Sequence, residues 1–568
     1  MLLPVAENTT QPEKPEPASH GKLSWAACGL LLLAALNCAV QIGWFWRFSA
    51  HNINYDAISY IGIARHLSRG EFVGSLNGYW SPLFSWCLAG LSGLSSNFTL
   101  LARVITIATF LSCLPLLYML SFHLWRSSLL AALAVLWFTL ARGVVAFSVY
   151  FIGADFLLTA LVLLYFILLI RCLRRASTRN WATLGLLHGL AFLAKAIAFP
   201  WLMISTVMAC LTVGRRNVRR ILLHTGAALA IPWLVWLGWG LTLKARYGVF
   251  TPGYQSKWNL LNQEARQQAE RSSSRLTVLR DTSRSFDSDM VVDTMPPASP
   301  LWGAKLRWGS TLRLIMAKER QNLPRAIKEV VILITPGCVL AIVLAVLAVG
   351  LADQTQAKFT GIVCVSAASL VIAYCMLVFD GRYLVPVVPL LMAVAVPFIV
   401  PRRGSDILPE RFPRGRAVSA ALVVASTIFL LLYPASPFRS LRRDYQSSCY
   451  DAARKLQAIP SCRRLVVLGA GPCPEHGVGW EAGIYASYFA ACRMVAFSPE
   501  LPRAAQDESL QKDLRIVNPD AILLLGGSSD GGYEAAVSAI HEAWPNLHAE
   551  SVDDPQAGRV GELYWRSN

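Results

Sequence analysis

Residues 155–173, DFLLTALVLLYFILLIRCL, carry no charge between the aspartate that opens them and Arg171 near their end. At 1.5 Å per residue such a stretch makes a helix of about 28 Å, which matches the roughly 30 Å hydrocarbon core of a bilayer. Arg174, Arg175 and Arg179 follow directly, and a basic cluster at the end of a span marks the cytoplasmic side. Working outward, similar apolar runs recur through the first three quarters of the chain. About eleven spans are expected, near 23–46, 100–122, 128–150, 155–173, 182–194, 197–213, 221–242, 329–351, 358–378, 383–400 and 417–434.

Composition agrees with this reading. Of 568 residues, 55% are hydrophobic and 15% charged, against about 25% charged in a soluble domain. A soluble enzyme, a disordered chain and a disulfide-stapled secreted module are excluded. The net charge of +18 lies largely in short loops between spans, where it sets orientation; no nucleic-acid partner is expected. Residues 1–22 are a polar cytoplasmic tail. The run Leu23–Trp46 is too long for a signal-peptide core and reads as an uncleaved first span.

Treating 182–213 as one helix would leave Arg174, Arg175 and Arg179 on one side and Arg215, Arg216, Arg219 and Arg220 on the other. Splitting it at Lys195 and Pro200 returns both clusters to the cytoplasm. Residues 401–416, with Arg402, Arg403, Arg411, Arg414 and Arg416, then fall inside as well. The N-terminus is therefore expected inside. The first loop (47–99), the turn at 151–155, the long loop (243–328) and the tail (435–568) face outward, around a transmembrane domain of residues 23–434.

Within the long loop, Trp308, Leu312, Ile315 and Met316 recur at helical spacing beside Arg307, Arg313, Lys318 and Arg320, a pattern suited to a helix in the membrane interface. The tail alternates strand-like runs at 464–468, 493–497 and 521–525 with helical stretches near 481–491, 507–515 and 533–544, the signature of a small three-layer α/β domain. Its Gly469-Ala470-Gly471-Pro472 turn lacks the third glycine of a dinucleotide loop and has proline where the helix should start. Cys449, Cys462, Cys473 and Cys492 fall in this outward domain, where an oxidising compartment permits two bridges in any of three connectivities.

Ionisable residues at span ends point to function, because they are costly in lipid. The topology gathers Asp56, Asp155, Lys195, Asp380 and Arg382 at the outer face. Singly, each has an ordinary explanation: Asp155 can interact with a helix dipole, and Arg382 can reach the headgroups. Together they suit glycosyl transfer from a lipid-linked sugar phosphate. Asp56 supplies the base that takes a proton from an acceptor hydroxyl, and Lys195 and Arg382 stabilise the departing phosphate. Asp155 orients the acceptor or joins Asp56 in holding a divalent cation.

Four segments then resemble the GT-C glycosyltransferases, in particular the protein O-mannosyltransferases and lipid A aminoarabinose transferases. They are Tyr55-Asp56-Ala57-Ile58-Ser59-Tyr60 running on to Ala64-Arg65-His66-Leu67, Gly78-Tyr79-Trp80-Ser81-Pro82-Leu83, Gly189-Leu190-Ala191-Phe192-Leu193-Ala194-Lys195, and Arg382-Tyr383-Leu384-Val385-Pro386-Val387-Val388-Pro389-Leu390. Their order matches the family's across residues 55–390. The resemblance implies a polytopic α-helical membrane enzyme of about eleven spans with an extracytoplasmic α/β domain. It implies Asp56 as catalytic base with Asp155 beside it, and Lys195 and Arg382 at the donor phosphate. The partners it implies are a polyprenyl-phosphate sugar donor, membrane lipids and an acceptor that is a lipid, a glycan or a protein. With the loop charges, it implies a bacterial inner membrane and a periplasmic site. The alternative is a transporter or flippase of lipid-linked saccharides. That class more often shows two similar halves and polar residues near the midplane, and the sequence shows neither.

Overall fold

The computed structural model describes residues 24–49, 53–175, 177–213, 218–253, 255, 277–278, 315–316, 319–328, 354–377, 381–399, 447–459, 462–469, 479–498, 508–526, 532–554 and 558–566. The expected spans 329–351 and 417–434, the apolar stretch up to residue 314, Asp380 and Cys473 lie outside these residues. So do most of the connections at the C-terminal ends of the tail strands.

Eleven helices make up the first half: α1 (Trp25–Trp46), α2 (Tyr55–Ser68), α3 (Phe72–Ser75), α4 (Leu83–Gly90), α5 (Phe98–Trp125), α6 (Ser128–Leu140), α7 (Arg142–Tyr150), α8 (Asp155–Arg174), α9 (Thr178–Ala194), α10 (Ala198–Val213) and α11 (Val218–Tyr247). Among the described residues, helical backbone follows at 319–328, then α12 (Gln354–Leu377) and α13 (Val387–Ile399). Among the described residues five helices are long and apolar enough to cross a membrane, or six when α6 and α7, bent by 61° at their junction, count as one span. The expected count of eleven is thus not reproduced within these residues. The protein is a multi-pass membrane protein. The split at Lys195 is observed: α9 ends at Ala194 with Lys195 as its C-cap in extended backbone. The last helix before the long loop continues to Tyr247, five residues beyond the expected boundary.

Packing between these helices uses small residues and side chain-to-backbone hydrogen bonds, the means available where lipid removes the hydrophobic difference. A Cβ on Gly185 would stand 2.5 Å from the carbonyl oxygen of Ala228, and one on Gly189 3.1 Å from Val235; α9 and α11 approach closely there. The indole N–H of Trp125 donates to the Ala393 carbonyl at 2.7 Å, and that of Trp201 to Ser366 at 2.7 Å. The amides of Asn37 and Gln41 both donate to the Thr139 carbonyl at 2.9 Å, tying α1 to α6.

The tail contains α14 (Ser447–Ala458), β2 (Arg464–Leu468), α15 (Gly479–Ala490), β3 (Arg493–Ser498), α16 (Glu508–Val517), β4 (Ala521–Leu525), α17 (Tyr533–Ala543), β5 (Leu547–Asp554) and β6 (Gly558–Arg566). All three expected strands are present within one residue of their expected ends. The antiparallel β5–β6 pair and α14 were not anticipated. The sheet order is β1-β3-β2-β4-β6-β5, with β3, β2 and β4 parallel and β5 and β6 closing one edge. β1 is Thr277–Val278 of the long loop, paired antiparallel with Phe497 and Ala496 at the other edge.

Alternation along β2 and β4 sends their side chains to opposite faces. Leu465, Val467, Ala521 and Leu523 pack with α14 and α15, while Val466, Leu468, Ile522 and Leu524 pack with α16 and α17. The first of these layers is continuous with the apolar core of α2, α4 and the start of α5. Where they meet, the Arg65 guanidinium lies 5.6 Å from the Phe98 ring and 5.5 Å from the Tyr488 ring. Thr99 and Tyr488 share a hydrogen bond of 2.6 Å. The tail is therefore docked on α2.

Candidate active site

Each expected site residue sits where regular helix begins or ends. Asp56 is in the first turn of α2 and Asp155 in the first turn of α8, where a carboxylate is favoured by the helix dipole. Lys195 caps α9, and Arg382 lies in a 3₁₀ turn, Gly381–Leu384, ahead of α13. The antiparallel run of α5, α6–α7, α8 and α9 brings all these ends to one side of the bundle.

The structure joins the four residues in two ion pairs. Arg382 Nη2 is 2.6 Å from Asp56 Oδ2, and Lys195 Nζ is 2.5 Å from Asp155 Oδ1. No side chain of the four is more than 16% exposed. Burying a charge is costly unless it is paired and hydrogen-bonded, and the pairing offsets that cost here. Burial is the largest influence on the Asp56 carboxyl and pushes it above the ordinary carboxylate value; Arg382 and then Lys195 pull it back, without cancelling the rise.

Four aromatic rings enclose the cluster. Tyr383 stands between the cations, its ring centroid 4.8 Å from Lys195 Nζ and 5.2 Å from the Arg382 guanidinium. Tyr374 stacks on the outer face of Tyr383 at 4.4 Å and 13°. Phe151 lies 5.6 Å from the Arg382 guanidinium. Tyr60 packs against Trp80 and Phe84, and its backbone carbonyl accepts from Ser85 at 2.9 Å. Trp80 is held in turn by Asn77, whose Oδ1 accepts the backbone N–H groups of Tyr79 and Trp80.

Asn54 fixes the two acids relative to each other. Its Nδ2 donates to the Ile152 carbonyl at 3.1 Å and its Oδ1 accepts the Ile152 N–H at 2.9 Å. This two-way bond locks the residue just before α2 to the turn just before α8. Gly153 in that turn leaves the space a side chain would fill: a Cβ there would stand 3.6 Å from both Asp155 Oδ2 and the Tyr60 ring.

Asn54, Tyr60 and Tyr374 were not singled out from the sequence for these roles, and Tyr383 was quoted only as part of a motif. The available signal was a capping-type residue next to the acid in Asn54-Tyr55-Asp56 and a lone tyrosine in the apolar run of α12. Neither pattern names its partner, Ile152 for Asn54 and Tyr383 for Tyr374.

The two carboxylates are each already in an ion pair, and among the described residues no group of three His, Cys, Asp or Glu comes together.

The helix order and the appended α/β tail define a multi-pass helical membrane protein with an α/β domain at its C-terminal end. A crystal structure of ArnT from Cupriavidus metallidurans in the apo state shares this fold, with a TM-score of 0.51 at 14% sequence identity, over 95% of this chain and 98% of that one. A second ArnT structure from the same organism, bound to undecaprenyl phosphate, superposes with a TM-score of 0.48 at 12% identity, over 93% and 97% of the two chains. No family model and no curated protein matches the sequence.

Proposed function

We propose that the protein is a membrane glycosyltransferase that moves a sugar from a polyprenyl-phosphate donor to an acceptor hydroxyl at the outer face of the membrane. The observation that carries this reading is the state of Asp56. Its Oδ2 is bound by Arg382, while its Oδ1 is buried with no hydrogen-bond partner among the described residues. A carboxylate oxygen kept dry and unpartnered, beside two cations, is suited to accept a proton from a substrate hydroxyl.

In the proposed reaction Asp56 Oδ1 takes the acceptor proton as the acceptor oxygen attacks the sugar carbon bonded to phosphate. The bond from that carbon to the phosphate oxygen breaks, and polyprenyl phosphate leaves with the extra negative charge. Lys195 and Arg382 stabilise that charge. An ammonium has three N–H donors, so Lys195 can hold Asp155 and the phosphate together. Tyr383 and Tyr374 keep both cations in place, and Asp155 sets the position of Lys195. The N-terminus lies inside, and the first loop and tail face outward, in a bacterial inner membrane.

Purified protein in nanodiscs, given a panel of radiolabelled polyprenyl-phosphate sugars and membrane extract as acceptor source, tests this reading. Release of polyprenyl phosphate from one donor is expected, reduced about 10²–10⁴-fold by Asp56→Asn. Wild type and variant that bind donor equally and release nothing would overturn it in favour of a carrier of lipid-linked saccharide. Because burial raises the Asp56 carboxyl and the base must be ionised, turnover is expected to fall with falling pH through a point above the usual carboxylate pKa of about 3.9. A pH–rate profile of the single-turnover step checks this.

A further inference from the structure

Two cysteines of the tail meet at the start of its parallel sheet. Cys462 lies two residues before β2 and Cys492 one residue before β3, and the register pairs Arg464 with Arg493. Carried back one residue, that register sets Cys492 opposite Arg463, next to Cys462; strands about 4.7–4.9 Å apart with a rise of about 3.3 Å per residue put the two Cα atoms roughly 6 Å apart, inside the 4.4–6.8 Å separation that a disulfide spans. Backbone bonds fix both positions: the Cys462 N–H donates to Ile459 at 3.3 Å and the Cys492 N–H to Ser487 at 3.1 Å. The side chains point at each other, with the Cys462 thiol donating to the Cys492 sulfur. Cys492 is 4% exposed and Cys462 is half-buried. Both are thiols in this structure.

We propose that Cys462 and Cys492 are joined by a disulfide in the mature protein. The bond requires an oxidant, a protein or small-molecule disulfide of the outer compartment, and so rests on the outward placement of the tail proposed above. The Cys462 thiolate, the more accessible of the two, attacks the oxidant's disulfide and releases one of its sulfurs as thiolate. The Cys492 thiolate then attacks the Cys462 sulfur and releases the second. The two protons from the cysteines end on the two released thiolates, so two thiols are oxidised and one disulfide is reduced to two thiols.

The bridge has a structural consequence for the tail. It closes the segment containing β2 and α15, and α15 carries Tyr488, the residue in contact with Arg65 and Thr99 beside α2. The link would therefore tie α15, which carries the docked face, to the sheet of the tail.

Full-length protein, alkylated with N-ethylmaleimide before lysis and digested with trypsin without reduction, reads the pairing. Peptide 456–463 contains Cys462, but peptide 465–493 contains both Cys473 and Cys492, so wild type is compared with Cys473→Ser and Cys492→Ser. The expected result is a 456–463 to 465–493 linkage in wild type and in Cys473→Ser, broken by dithiothreitol and lost in Cys492→Ser. A linkage that persists in Cys492→Ser, or one from 456–463 to the Cys449 peptide 444–454, would overturn the pairing. Parallel treatment of spheroplasts with an impermeant protease separates the remaining outcomes. A tail that is cleaved while both thiols are alkylated overturns the bridge alone. A protected tail with alkylated thiols overturns the outward placement, and the bridge with it.

Discussion

The ion pairs of the helical domain differ from the Arg454–Asp451 pair of the tail in how far they are withdrawn from water, and from the Lys455–Asp451 pair in how many partners the cation has. Asp56–Arg382 and Asp155–Lys195 are closed at 2.6 and 2.5 Å with side-chain exposures of 6–16%. In the tail, Arg454 lies 3.4 Å from Asp451 and is 66% exposed, while Lys455, 16% exposed like Lys195, bonds Asp451 at 2.9 Å and reaches Glu550 of β5 at 3.6 Å. Buried pairs are expensive to assemble and expensive to break, since losing one partner strands the other charge; the typical cost of breaking one is about 3–5 kcal/mol. Exposed pairs are worth about 0.2–1 kcal/mol. A fold keeps the first kind where the charges have work beyond stability, and the second kind arises wherever a helix meets water.

The largest effect is therefore expected at Asp155–Lys195. Asp155→Asn should lower stability in detergent by about 3–5 kcal/mol, because Lys195 is left buried and uncompensated. Lys195→Met alone should do similar damage. The double variant Asp155→Asn/Lys195→Met should recover most of the stability and none of the turnover, which thermal unfolding and donor release measured side by side will show. A double variant as unstable as either single one would mean that the pair holds the fold rather than the reaction. Next in size is Gly185→Ala, where the new methyl meets the Ala228 carbonyl at 2.5 Å and must push α9 from α11; overpacking of this kind costs about 1–3 kcal/mol, read as a lower unfolding temperature. Removing the hydrogen bond between tail and helical domain with Tyr488→Phe should cost about 0.5–1.5 kcal/mol, detected as faster proteolysis of the tail.

The same contrast explains what could be read in the sequence. The site residues were legible because charge is so rare in the apolar runs that each one stands out: Asp56, Asp155, Lys195 and Arg382 were expected at one face, and the structure brings all four together. Their pairing was not legible, because a carboxylate at position 155 gives no local sign that its partner is Lys195 rather than Arg382. In the tail, β2, β3 and β4 announced themselves as short apolar runs between helical stretches, as strands covered on both faces do. β5, with His548, Glu550, Asp553 and Asp554 in eight residues, has too few apolar side chains to stand out; its pairing with β6 decides it. β1 is beyond any local reading, since two residues acquire strand geometry only from the edge of a sheet some two hundred residues away.

The smallest effect sharpens the comparison from the tail's side. Burial alone would lower the Lys455 ammonium, but Asp451, Glu550 and Asp553 outweigh it and raise the group above its ordinary value. A raised pKa in the folded state means stability that is fully present below the unfolded value of about 10.4 and lost as pH rises through the folded one. Asp451→Asn should therefore cost less than Asp155→Asn at neutral pH, because Lys455 keeps Glu550 and the Ser551 carbonyl as partners, with the loss shrinking in high salt and disappearing at strongly alkaline pH. Thermal unfolding of wild type and variant at low and high salt measures it. If Asp451→Asn were as damaging as Asp155→Asn, the further partners of Lys455 would not compensate its charge, and the α14 pair would belong with the pairs of the helical domain.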